Sequence, residues 1–71
     1  EINVQEYLGN TIQVLTVNED GSIRNPKRAG GAPAGRFAQY VQGMTVQAAL
    51  NAGVTERDIQ WDHAHEYIAI Q

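Results

Sequence analysis

The chain has 71 residues, no cysteine, 42% hydrophobic residues and a formal net charge of −3. That length holds one domain, and the missing cysteines exclude disulfides, thiolate metal sites and cysteine nucleophiles. The apolar fraction is too high for a disordered tail, and no apolar run approaches the roughly 20 residues of a membrane span. No membrane partner is therefore expected, and no signal peptide is visible. Absence of cysteine fits the reducing cytoplasm. Glu1 in place of an initiating Met suggests a trimmed or processed chain, or a fragment. A domain this small buries only about 60% of the surface its unfolded chain exposes, so its stability is expected to be a few kcal/mol.

In chain order, "INVQEYLG" fits two patterns. Ile2 and Val4 alternate as in a strand, whereas Val4, Tyr7 and Leu8 fit helical spacing. Residues 11–17, "TIQVLTV", are rich in β-branched types and predict a strand. "NEDG" follows as a turn, with Asn18 and Asp20 able to bond nearby backbone and Gly21 tolerant of positive φ. "SIRN" then predicts a short returning strand, making a hairpin of 11–25.

Residues 25–35, "NPKRAGGAPAG", hold three glycines, three alanines and both prolines, which predicts a long loop without regular structure. Charge concentrates around it. Arg24, Lys27, Arg28 and Arg36 lie within 24–36 with no acid among them, while the remainder holds all eight acids against Arg57 alone. A Gly-rich backbone with Arg and Lys suits phosphate or a nucleic-acid backbone, and equally an acidic protein surface or simple balance of an acidic body. Neither GxxxxGK[ST] nor GxGxxG is present.

"RFAQYVQ" again fits two patterns: Phe37, Tyr40 and Val41 on a helical face, or Phe37, Gln39 and Val41 on a strand. Gly43 leaves little length for a helix, which favours the strand. "GMTVQAALNAGV" predicts a helix at about 45–52. Thr45 is a good N-cap, Val46, Ala49 and Leu50 form an apolar stripe, and Gly53 suits the closing residue. In "TERD", Thr55 and Asp58 nearly match a capping box and predict one helical turn.

This segment resembles a recurrent part of β-grasp domains, among them ubiquitin-like sulfur carriers and soluble-ligand-binding modules, through Gly43, Thr45, Val46, Ala49, Leu50, Ala52 and Gly53. The resemblance implies a hairpin before the helix, strands after it and a sheet face presented to a protein or small ligand. The chain ends "YIAIQ" without the carriers' reactive Gly-Gly, and it lacks the cysteines of the ferredoxin relatives.

The last segment, "QWDHAHEYIAI", places two histidines and two carboxylates within five residues. On a strand, His63 and His65 share a face and form a His-x-His chelate for zinc or copper. Asp62 and Glu66 would then point the other way, and no third histidine exists. Period-2 register also flips here: Ile59 and Trp61 are odd, Ile68 and Ile70 even. Two short strand pieces joined by a solvated turn or bulge at 62–66 account for that. A histidine titrating near neutral pH is the remaining chemical option.

Together these features predict an α+β domain over 1–71. Its sheet is mainly antiparallel with three to five strands, and one short helix at 45–52 packs on it. The expected core is Ile12, Val14, Leu15, Val17, Phe37, Val41, Val46, Leu50, Ile59, Trp61, Ile68 and Ile70. Ser22 is the only serine, and no motif links it to a histidine. The expected function is a non-enzymatic accessory or regulatory module without a cofactor. It would bind another protein, or a second copy of itself, through a sheet face or edge. Arg24, Lys27, Arg28, Arg36, Phe37 and Tyr40 are the candidate contacts. Nucleic-acid binding by the 24–36 loop is the first alternative, and a metal or small ligand at His63 and His65 the second.

Overall fold

Asn3 starts the first ordered turn of the computed structural model, which describes all 71 residues. Its side chain accepts a hydrogen bond from the Gln5 amide at 3.2 Å and caps a 3-10 turn at Val4–Tyr7. Strand β1, Ile12–Val14, buries Ile12 and Val14 on one face and leaves Gln13 outside. It pairs antiparallel with the C-terminal strand β2, Ile68–Ile70, in the register Ile12↔Ile70, Gln13↔Ala69 and Val14↔Ile68.

Those two strands are the whole sheet, so the expected three to five strands are corrected to two. The predicted 11–25 hairpin contracts to a turn closed by a single bridge, Val17↔Ile23, with the Asn18 amide donating to Ser22 O at 2.8 Å. The outer edge of β1 is not free for a further strand. Ile12 N–H donates to Met44 O at 2.7 Å, and Gly43 N–H donates to Ile12 O at 2.9 Å. The Gln42 side-chain amide completes the edge, accepting from Val14 N–H at 2.7 Å and donating to Val14 O at 2.9 Å. The β1 edge therefore offers no row of unpaired groups for edge-to-edge pairing.

Helices outnumber the strands. Helix α1, Ala32–Phe37, lies partly inside the segment expected to be a loop and ends inside the segment expected to be a strand. Pro33 stands in its first turn, where a missing N–H costs nothing because that donor has no partner in the helix anyway. Phe37 and Tyr40 follow the helical spacing and both turn inward, their rings edge-to-face at 5.0 Å. Val41 is 62% exposed.

Helix α2, Val46–Asn51, begins where expected, with the Thr45 hydroxyl accepting from Ala48 N–H at 3.0 Å. Helix α3, Glu56–Ala64, is the longest element. Thr55 and Asp58 form a reciprocal capping box: the Thr55 hydroxyl accepts from the Asp58 amide and the Asp58 carboxylate from the Thr55 amide, each at 3.0 Å. One helical turn was expected here, and nine residues form.

That helix corrects the predicted core at Trp61. On a strand Ile59 and Trp61 share a face; on a helix they stand about 200° apart. Ile59 is buried and Trp61 is 54% exposed. Leu15 and Val17 are also exposed, because the strand they were assigned to stops at Val14. The core is built on Ile12, Val14, Phe37, Val46, Ile59 and Ile68, completed by Val4, Tyr40, Ala49 and Val54; Leu50 and Ile70 pack at its margin. A two-stranded pair is marginal alone, so the helices packed against it carry the fold. No helix is long and apolar enough to cross a membrane.

Candidate cationic groove

The loop from Asn25 to Gly31 is fixed by its own side chains. Asn25 Oδ1 accepts from Lys27 N–H at 3.0 Å, and Asn25 Nδ2 donates to Ala34 O at 2.8 Å. These bonds aim Lys27 inward. Its ammonium lies 2.6 Å from Asp62 Oδ1 and over the rings of Phe37 and Tyr67, at 5.9 and 5.5 Å.

Asp62 was expected in a solvated turn at 62–66. It lies instead on the inner face of α3, one turn beyond Ile59, and is 1% exposed. The turn itself comes later, at 65–67. Tyr40 donates its hydroxyl to Asp62 Oδ2 at 2.8 Å. Oδ1 has no hydrogen bond of ordinary angle, so the Lys27 charge is its compensation. Burial pushes the Tyr40 hydroxyl far above the usual phenol range, and the Asp62 charge pushes it further. Lys27 is therefore an anchor that fastens the basic loop to the core.

A second ion pair joins α1 to α3. Arg36 Nε and Nη2 donate to the Asp58 carboxylate at 2.6 and 3.1 Å, the forked geometry that gives such pairs their directionality. Partial burial pushes the Asp58 carboxyl up, but the Arg36 hydrogen bonds and the Thr55 amide outweigh it and hold the group below the usual carboxylate range. The same contact raises the Arg36 guanidinium.

Between these two ties lies an open groove of about 570 Å3. Lys27 and Arg28 line it from the loop, Pro33 and Arg36 from α1, and Arg57, Asp58 and Trp61 from α3. The lining thus holds four of the five cations of the chain against one acid, while the rest of the molecule holds seven acids against Arg24. Arg28 and Arg57 make no side-chain hydrogen bond or ion pair and are exposed. Arg57, Trp61 and His65 succeed one another at four-residue spacing, which puts them on one helix face. The Trp61 and His65 rings stack at 4.0 Å with 21° between their planes. His65 Nδ1 lies 2.9 Å from Trp61 O.

Of the residues singled out in the sequence, Lys27, Arg28 and Arg36 meet in this groove. Arg24 does not: its amide donates to Thr16 O at 2.8 Å in the neighbouring turn. Phe37 and Tyr40 are core residues with no surface to offer a partner. His63 and His65 do not form a chelating pair, since helical geometry swings His63 away from the Trp61–His65 stack. No group of three or more His, Asp or Glu side chains converges anywhere in the chain.

Arg57 and Trp61 were missed as site residues. The signal was present: once the Thr55 capping box starts a helix and Ile59 fixes its inner face, Arg57, Trp61 and His65 fall on the outer one. No family model, no curated protein and no solved structure matches this chain.

Proposed function

We propose that the protein is a small, non-enzymatic interaction module that takes an anionic partner into the groove between the Lys27–Arg36 segment and α3. What supports this reading is one observation. Cations far apart in the sequence line a single groove with an exposed tryptophan, although the molecule as a whole is acidic. Arg36 is paired with Asp58 and Lys27 with the buried Asp62, but Arg28 and Arg57 are left without an acid partner. Complementary charge of this kind guides an anion to the groove and orients it. The groove is favoured over the β1 edge as the docking surface, because residues 42–44 already occupy that edge.

A negatively charged resin tests the proposal directly. Despite its net charge of −3, the protein is expected to be retained on phosphocellulose at low salt and released as salt rises. Arg28→Glu and Arg57→Glu should abolish retention, whereas Arg24→Glu, outside the groove, should leave most of it. Equal loss from all three would show that the groove is not the binding face.

A further inference from the structure

We infer that the anionic partner is a single-stranded nucleic-acid segment, with one base laid against Trp61 and the flanking phosphates held by Arg28 and Arg57. This rests on the groove being the binding face and adds the chemistry of what enters it.

Trp61 supplies the first reason. It is the only tryptophan, it is more than half exposed, and it projects into a cationic groove. Its indole plane is held by the stack on His65 at 4.0 Å. A carboxylate gains little from a flat, rigid ring, whereas every nucleobase has a π face to lay on one. The cations supply the second reason. Lys27 and Arg36 are committed to Asp62 and Asp58, which leaves Arg28 on the loop and Arg57 on α3 free, with Trp61 one turn beyond Arg57. Two free charges beside one planar ring match a ligand that alternates phosphate with base. The third reason is the surrounding charge. Six exposed acids outside the groove repel a long polyanion, so the contact is confined to a few nucleotides. In a duplex the bases are already stacked on one another and present no face to Trp61, which favours a single strand.

The test uses three end-labelled probes of equal length: oligothymidylate, the corresponding abasic sugar–phosphate strand, and oligoglutamate. Oligothymidylate is expected to bind and to quench the Trp61 fluorescence. The abasic strand is expected to bind about tenfold more weakly, the loss of one stacked base, and without quenching. Trp61→Ala should lower affinity for oligothymidylate to the abasic level and leave the abasic affinity unchanged. Both nucleic-acid affinities should fall with salt at a log–log slope of about −1.4, the value for two phosphates on a single strand. Arg28→Ala should roughly halve that slope, with circular dichroism confirming that the fold is kept.

If oligoglutamate binds as tightly as oligothymidylate, or if removing the bases changes nothing, the nucleic-acid inference is overturned while the cationic, anion-binding groove stands. If none of the three polyanions binds at low salt, both fall.

Discussion

Asp62 is the residue on which the interior turns, because a carboxylate that is 1% exposed needs compensation from each neighbour. Lys27 supplies the charge at 2.6 Å and Tyr40 a hydroxyl at 2.8 Å. Lys27→Met removes the charge and leaves a buried carboxylate alone, at an expected cost of about 3 kcal/mol. Asp62→Asn keeps the Tyr40 contact and frees Lys27, which is already 13% exposed, to turn outward; its cost is expected to be about 1 kcal/mol. Urea unfolding of the two variants checks the order, and an equal or reversed cost would contradict the anchoring role of Lys27. Tyr40 adds a pH dependence. Burial and the Asp62 charge keep its hydroxyl protonated in the fold, whereas in the unfolded chain it ionises near the ordinary value of about 10. Above that pH the unfolded chain binds fewer protons than the native one, so the contribution of Tyr40 is complete below about pH 10 and declines as pH rises. Tyr40→Phe should be less stable at neutral pH and should lose less on going from pH 9 to pH 11, as read by thermal melts. None of this was legible in the sequence. Lys27 and Asp62 are 35 positions apart, and an Asp between a Trp and a His reads as solvated until the helix turns it inward.

At the scale of the element, the helix ends show which local signals were sufficient. The α2 and α3 termini close in the same way. After α2, Gly53 and Val54 donate to Leu50 O and Ala49 O, each at 3.1 Å; after α3, Glu66 and Tyr67 donate to His63 O and Asp62 O at 3.1 and 2.8 Å. The residue in the left-handed position is Gly53 in the first, with φ 107°, and Glu66 in the second, with φ 57°. Glycine adopts that conformation without the clash a Cβ brings. Glu66→Gly is therefore expected to stabilise the protein by about 1 kcal/mol, and Gly53→Ala to destabilise it by a similar amount. Melting curves that rise for Glu66→Gly and fall for Gly53→Ala check this, and a fall for both would show that the Glu66 side chain contributes a contact of its own. The legibility of α2 follows from the same features: Thr45, the apolar stripe and Gly53 all act within a dozen residues. α3 was underestimated because its terminator is a glutamate and its inner face carries a buried aspartate, so neither a closing glycine nor an apolar stripe marked its length. α1 was missed because Gly and Pro density reads as loop, although Pro33 sits in a first turn that accepts it.

The whole molecule separates its charge: the groove is cationic and the remainder acidic. Half of that separation was legible, since the run of bases from 24 to 36 stands out in the sequence. The other half depends on tertiary placement. The Arg36–Asp58 pair sets α1 beside α3 and so brings Arg57 and Trp61 to the basic loop from more than twenty positions away. The same packing takes Phe37 and Tyr40 out of the surface, and the 42–44 segment closes the β1 edge of the sheet.

The most direct measurement of the central claim is a two-dimensional NMR titration of the labelled protein with a short oligothymidylate at low salt. The Trp61 indole N–H gives one resonance, because the chain holds one tryptophan. That signal and the backbone amides of 27–31 and 57–61 are predicted to shift together and to return when salt is raised. Shifts centred on Leu15, Val17 or β2, with the indole signal unmoved at saturating ligand, would contradict the account.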